Sequence, residues 1–478
     1  MHMSPKRLFG TFLIPAIVCT VLVWTYLRSG FSGRAVNTQL STPSSTVSNP
    51  GEPLPHTNFI DGVAKYFIDY PFEGPSYGDC FGALGQRVQI ITSWINVTSA
   101  NKPFHKAIER VSKSMFPFIQ NPTKQKDDDH LAALRDSFIP GSRGIVMAVG
   151  SQDFRYACHS VLSIRTVLQS DLPIQIVYAG EKDLPSASRE ILGSLATGIE
   201  FLDILTVFDD NSMQLEKNWA IKPFAALASK FEQVILLDAD SVFLQSPNEL
   251  FSHSGYVDTG ALFFHDRLLW QGAFPDRHKW WKREMKNKTP SPMLLKSRVW
   301  TEGYAEEADS GVVVLDKRRT PIFTALLHVC WQNTKAVREE TTYKMTYGDK
   351  ESWWFGLELC DVPYTFEKHY GAIIGSLKER SPQGGTADVC AFNIAHVDEQ
   401  DRLFWLNGSL LKNKHVDKKE FELPTHWMID AEWRKGATKI DMSCMTGGKA
   451  TPLTEGERSI LARTIEVSKE VDAKYSLV

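Results

Sequence analysis

An α/β fold on a mostly parallel sheet, preceded by one membrane-spanning segment, is what this sequence predicts. Three observations predict it. An uncharged apolar run lies near the N-terminus, short apolar runs alternate with helix-period segments from Gly144 onward, and two carboxylates follow one wholly apolar run. The composition permits it: 478 residues, 43% apolar and 23% charged, suit a globular chain with a sizeable core. A net charge of −3 gives no reason to expect nucleic-acid binding.

Leu8 to Leu27 (LFGTFLIPAIVCTVLVWTYL) carries no charge, with Lys6 and Arg7 before it and Arg28 after it. At about 1.5 Å per residue, about 20 residues cross a ~30 Å hydrocarbon core. Trp24 and Tyr26 sit at one end, where amphipathic rings favour the interface. A cleaved signal peptide has a shorter apolar stretch, about 7–15 residues, closed by small residues; this one ends Tyr-Leu-Arg. The expectation is a cytoplasmic tail at 1–7, a transmembrane anchor at 8–27 and a luminal remainder, the arrangement of a type II membrane protein. Glycosylation triplets beginning at Asn96, Asn287 and Asn407 suit a lumen. Residues 28–58 are rich in Ser, Thr, Pro and Gly and read as a flexible stem.

An N-terminal luminal region, 59–143, mixes aromatics and helical stretches; its acidic run Asp127–Asp129 reads as a solvated loop, since no strand or turn signal positions it. Cys19 lies in the anchor. The other six cysteines have no zinc-type spacing and leave room for three disulfides in an oxidising lumen, in pairings that the sequence leaves open. Gly74-Pro-Ser-Tyr-Gly78 matches a nucleophile elbow in letters only, because no buried strand precedes it.

The periodic part begins with Ile145 to Val149, an apolar run between glycines that reads as a strand buried on both faces. Tyr156 to Gln169 has helical spacing. Ile174 to Tyr178 is a second strand and Glu200 to Val207 a third; Lys222 to Phe231 is a helix leading into the strand Val234 to Leu237. Asp238-Ala239-Asp240 follows that strand directly. Ligands in open α/β sheets bind at the carboxyl ends of strands, and residues two apart on an extended segment face one way. Two carboxylates so placed suit one hard divalent cation, which would also neutralise a diphosphate.

Lys222-Pro-Phe-Ala-Ala-Leu-Ala-Ser-Lys-Phe-Glu-Gln-Val-Ile-Leu-Leu-Asp-Ala-Asp240 resembles the core of the fungal α-1,3-mannosyltransferase family and, more distantly, the glycogenin-like transferases. Three further segments fall in the family's order: Asp258 to Asp266, Glu307 to Asp316, and Tyr347 to Glu351. The resemblance spans about Gly144 to Leu411. It implies a GT-A type fold with a Rossmann-like, mostly parallel sheet in a catalytic domain at 144–445, followed by a C-terminal tail at 446–478. It also implies Mn²⁺, GDP-mannose as donor, a glycan acceptor, retention of anomeric configuration and a Golgi membrane setting. A UDP-sugar hexosyltransferase and a silent carbohydrate-binding protein on the same fold are the alternatives.

By the same resemblance Lys222 would touch the donor phosphates, and His396, in Asn393-Ile-Ala-His396, would join Asp238 and Asp240 as third metal ligand. Neutral imidazole is a common transition-metal ligand. Asp309, beside Gly311 and ahead of an apolar run, is a candidate for sugar-hydroxyl contact. Asp349 and Glu351 stand beside Trp353 and Trp354, a carboxylate–aromatic grouping suited to sugars. Asp309, Asp349 and Glu351 are the candidate catalytic carboxylates, as nucleophile or as acceptor-orienting groups. Trp280 and Trp281, among lysines and arginines, read as a surface patch with packing as the competing explanation.

Overall fold

A computed structural model describes residues 55–72, 74–97, 102–125, 129–215, 219–378 and 387–478. The anchor, most of the stem, and Asp127 and Asp128 of the acidic run lie outside the described residues. Among the described residues no helix is long and apolar enough to cross a membrane.

The strands follow the apolar runs. β1 (Ile139–Ala148), β2 (Ile174–Tyr178), β3 (Ile199–Asp203) and β4 (Phe231–Leu237) come first, then the short β5 (Ser241–Phe243), β6 (Ala261–His265), β7 (Ala308–Asp316) and β8 (Thr365–Phe366). Seven of them form one sheet in the order β3-β2-β1-β4-β7-β6-β8. β1 pairs in parallel with β2 and β4, β2 with β3, and β6 with β8, while β7 runs antiparallel to both β4 and β6. The chain thus winds outward from β1 to β3, then returns to place β4 on β1's other side. That reversal makes the carboxyl ends of β1 and β4 a topological switch point. Because β7 is antiparallel, its amino end, not its carboxyl end, meets the Asp238–Asp240 turn.

A second, antiparallel sheet is built from β9 (Ala372–Lys378), β10 (Asp388–Ala391), β11 (Ile394–Val397) and β12 (Leu403–Asn407), with β5 on its edge. After a two-stranded ribbon, β13 (Leu411–Asn413) with β14 (Asp417–Phe421), the chain adds β15 (His426–Met428), β16 (Glu432–Arg434) and β17 (Ser443–Thr446) to the second sheet. β5 follows the Asp238–Asp240 turn and pairs with β12, Ser241 opposite Asn407. One turn therefore joins the two sheets.

Burial on both faces explains the run-like strands. One face of the large sheet packs Val234, Leu236, Val313 and Leu315 against Phe81, Phe224, Phe323 and Trp353 from four helices. The other packs Ile235, Leu237, Val312 and Val314 against Val161, Phe243, Trp405 and Val471. The expected helix Tyr156 to Gln169 is an α-helix, Phe154–Leu162, continued by a π-turn, Ser163–Val167. The third strand stops at Asp203, where a 3₁₀ turn begins with the Asp203 carboxylate capping Leu205 N.

The described parts of 59–143 and 446–478 fall in one compact unit with the α/β body. The tail holds a 21-residue helix, Glu455–Tyr475, opened by a capping box between Thr454 and Glu457. Its buried Asp472 accepts from Arg155 Nε at 2.9 Å and Nη2 at 2.5 Å and pairs with His159 Nε2 at 2.8 Å, fixing it to the helix after β1. Among the described cysteines there is one disulfide rather than three, Cys390–Cys444, joining β10 to β17; Cys80, Cys158, Cys330 and Cys360 are buried thiols. Trp280 and Trp281 are core, not surface: Phe81 and Trp354 pack on them, and Trp280 Nε1 donates to Gly78 O at 2.9 Å.

Candidate functional site

The Asp238–Asp240 turn is held from beneath by β7. Asp238 N donates to Gly311 O at 2.9 Å, and Ser241 Oγ reaches the same carbonyl at 3.1 Å. Gly311 is required here, since a Cβ would come within 2.8 Å of Asn407 Nδ2 and 2.9 Å of the Trp405 ring. The turn's two carboxylates point to different cations. Asp238 Oδ1 lies 2.8 Å from Lys222 Nζ, and Asp240 pairs with Lys414.

Lys222 comes from the first turn of the helix Ile221–Ala228, every residue of which is buried. Its ammonium also meets Asp349 Oδ2 at 3.2 Å, Ser310 O at 2.9 Å and Ser310 Oγ at 2.8 Å. Burial disfavours the charge, but Asp238 and Asp349 more than offset this and hold Lys222 above the usual lysine range. Asp238 is pushed up to about 6 by burial, with Lys222 pulling it down and Asp240 and Asp349 pushing it up. On the far side of the turn, burial and then the charge of Asp240 raise Asp153.

The three candidate catalytic carboxylates are each occupied within the protein. Asp309 Oδ1 accepts from Gly311 N at 3.0 Å and Asn407 Nδ2 at 2.8 Å, and Oδ2 lies 3.0 Å from His396 Nε2. Burial pushes its pKa up, but the His396 hydrogen bond and charge prevail and hold it below the ordinary carboxylate range. Asp349 accepts from Trp353 Nε1 at 2.9 Å as well as from Lys222. Glu351 Oε1 accepts from the backbone of Glu307 at 3.0 Å and Ala308 at 3.3 Å, and Oε2 from Trp354 Nε1 at 2.5 Å. At 1% exposure, Glu351 is pushed up to about 8 by burial, against the pull of the Trp354 hydrogen bond. Trp353 and Trp354 are thus core residues whose indoles orient these carboxylates.

His396 is not brought into a metal set with Asp238 and Asp240. It is buried on β11, stacked on Trp405 at 4.2 Å and 21°, with Phe264 edge-on at 5.3 Å. Among the described residues no group of three His, Cys, Asp or Glu is placed to hold one ion. Asp238 and Asp240 do fit a hard cation: both are carboxylates on one turn, partly open at 29% and 15% side-chain exposure. Sequence reading missed Lys414, which nothing marks off from neighbouring Lys412, and Asn407, hidden as a glycosylation triplet. It also missed the ion pair between Lys350 and the buried Asp266 at the end of β6.

The family described as "Mannosyltransferase putative" matches residues 142–398, more than half of the chain. The chain belongs to this mannosyltransferase family. It is 25% identical over 333 residues to "Putative alpha-1,3-mannosyltransferase MNN14" of Candida albicans, a match covering 61% of this chain and 47% of that protein. To Alpha-1,3-mannosyltransferase MNT2 of Saccharomyces cerevisiae it is 24% identical over 325 residues, 62% of this chain and 55% of that one. The chain spans about half the length of these curated relatives. Among solved structures, the mannosyltransferase Ktr4p from S. cerevisiae is similar at 13% identity and a TM-score of 0.34, over 53% of this chain and 81% of that one. The match reaches from β1 through β11, so it includes every expected site residue: Lys222, Asp238, Asp240, Asp309, Asp349, Glu351 and His396.

Proposed function

We propose that this chain is a retaining mannosyltransferase of the GT-A type. It moves a mannosyl residue from GDP-mannose to a glycan acceptor through an α-linkage, α-1,3 by likeness to its relatives, in the Golgi lumen and tethered by Leu8 to Leu27. The observation that carries the reading is the pairing of Asp238 and Asp240, at a switch-point strand end, with two lysines, in a chain of this family. A site that sets two ammonium groups from other elements against the two carboxylates of one turn suits a diphosphate and its counter-ion.

Asp238 and Asp240 would hold a divalent cation, Mn²⁺, whose Lewis acidity would stabilise charge on the departing diphosphate. Lys222 and Lys414 stand ready for phosphate oxygens as the carboxylates turn to the ion. Asp349 keeps Lys222 charged. Asp309, locked to His396 and Asn407, fixes the Gly311 carbonyl that anchors the turn. Asp309 and Glu351 spend both carboxylate oxygens inside the protein and serve as positioning residues, while Asp349 spends Oδ2 on Lys222 and Trp353. Retention then proceeds by acceptor attack from the leaving-group face rather than through a covalent intermediate on Asp309 or Glu351.

A donor-hydrolysis screen of the luminal body against GDP- and UDP-sugars, with and without Mn²⁺, tests the reading. Release of GDP from GDP-mannose only with Mn²⁺ supports it. Preference for a UDP-sugar would make the chain a hexosyltransferase of another donor class. No turnover with any donor, together with retained glycan binding, would make it a carbohydrate-binding protein.

A further inference from the structure

Trp219 and Tyr347 stand in solvent at 55% and 60% exposure, although most aromatic side chains among the described residues are buried. They are a pair, with ring centroids 5.4 Å apart and planes at 37°. Both sit at the lip of the charged site. The Trp219 carbonyl accepts from Lys222 N at 3.1 Å, and Tyr347 precedes Asp349 by two residues, while Lys222 and Asp349 are themselves 3.2 Å apart. The indole lies against Gly348, which adopts a φ of +65° and where a Cβ would come 2.9 Å from the ring. Lys350 Nζ is 5.9 Å from the Tyr347 centroid and is paired with Asp266.

Two large rings held in water by packing on a glycine lose the burial that other aromatic side chains gain, which points to a ligand that covers them. A pyranose ring offers an apolar C–H face with hydroxyls at its rim. It therefore fits an aromatic surface bordered by charged hydrogen-bonding groups.

The side of the cleft decides which sugar. The nucleotide belongs at the switch point between β1 and β4. The segment carrying Tyr347 lies on the other side of β4. Its Glu351 bonds the backbone where β7 begins, and its Lys350 bonds Asp266 where β6 ends. We infer that Trp219 and Tyr347 are the acceptor platform, on which the sugar ring receiving the new bond rests with its hydroxyls toward Lys350. This rests on the transfer reaction proposed above.

Kinetics with GDP-mannose and methyl α-mannoside test it. Trp219→Ala and Tyr347→Ala should each raise KM for the mannoside about tenfold, while KM for GDP-mannose shifts less than about twofold. Trp219→Phe should restore most of the loss. A rise confined to the GDP-mannose KM would assign the rings to the nucleobase and overturn the inference, as would no change in either constant. Saturation-transfer NMR with methyl α-mannoside gives a readout that needs no turnover. The sugar's ring protons should draw saturation from the wild type and far less from either Ala variant. If no nucleotide sugar is turned over, the transfer reading falls while this measurement still decides the platform, and equal saturation in all three proteins would end it.

Discussion

Lys222→Met replaces a buried ammonium with an apolar chain of similar length, and its cost can be worked from the structure. The ammonium is the cation that Asp238 at 2.8 Å and Asp349 at 3.2 Å share. Removing one partner of a buried pair costs about 3–5 kcal/mol, because the charge left behind is uncompensated. Asp349 is 4% exposed and meets that condition, whereas Asp238 at 29% regains some water, so about 2–4 kcal/mol is expected at pH 8. The loss has a pH signature. Asp238 already stands near 6 with Lys222 present, and without that cation its carboxyl rises further above the unfolded value. A carboxyl whose folded pKa is raised binds its proton more tightly in the native state. Its penalty is absent below the unfolded value near 4 and grows as pH climbs through the folded one. Urea unfolding of wild type and variant at pH 5 and pH 8 should therefore show a larger gap at pH 8. A gap under about 1 kcal/mol at pH 8, or one equal at both pH values, would refute the reasoning.

Other outcomes follow from the same geometry. On the proposed metal-assisted transfer, Asp240→Asn should abolish turnover at any Mn²⁺ concentration with thermal unfolding little changed, since it takes a carboxylate from a partly open turn rather than core packing; near-normal turnover would show that the ion is held elsewhere. Asp472→Ala should cost about 3–5 kcal/mol in urea unfolding, because it leaves the Arg155 guanidinium buried without its carboxylate. Asp309, held below the ordinary carboxylate range, contributes stability that is present above about pH 4 and lost as pH falls toward its folded value. His396→Ala should remove much of that acid-dependent part, measured as the difference in unfolding free energy between pH 5 and pH 3, and should leave the Mn²⁺ dependence of transfer unchanged. Cys390→Ser opens a link of sequence separation 54 and should lower stability by about 4 kcal/mol on the chain-entropy estimate.

What the sequence made legible was whatever burial writes as a run. β2 and β4 are strands buried on both faces, so Ile174 to Tyr178 and Val234 to Leu237 read directly as apolar stretches, and the Asp238–Asp240 pair stood out because it ends one of them. The rest needed partners distant in sequence. Lys414 reaches Asp240 across 174 residues, and nothing local distinguishes it from Lys412, which pairs with Glu420 at the surface. Trp280 and Trp281 were obscured by Lys279, Lys282 and Arg283, the exposed side of the same helix, while the charged Arg277 and Glu284 turn inward with the indoles. His396 offered a ligand-type residue in family order, but whether its ring faces an ion or Asp309 is set by the register of β11 against β12, where it lies opposite Trp405.

The segment Gly348–Glu351 carries a consequence for how the site can vary. Its consecutive side chains Asp349, Lys350 and Glu351 fasten three separate elements: the Lys222 helix, the end of β6 and the start of β7. Inserting or deleting one residue there would send each charge to its neighbour's partner, setting an ammonium against Lys222 or a carboxylate against Asp266. The stretch is in effect a ruler whose spacing is as constrained as its composition. New acceptor preferences can arise far more cheaply at the lip, where Trp219 and Tyr347 face water and a changed ring disturbs no buried charge.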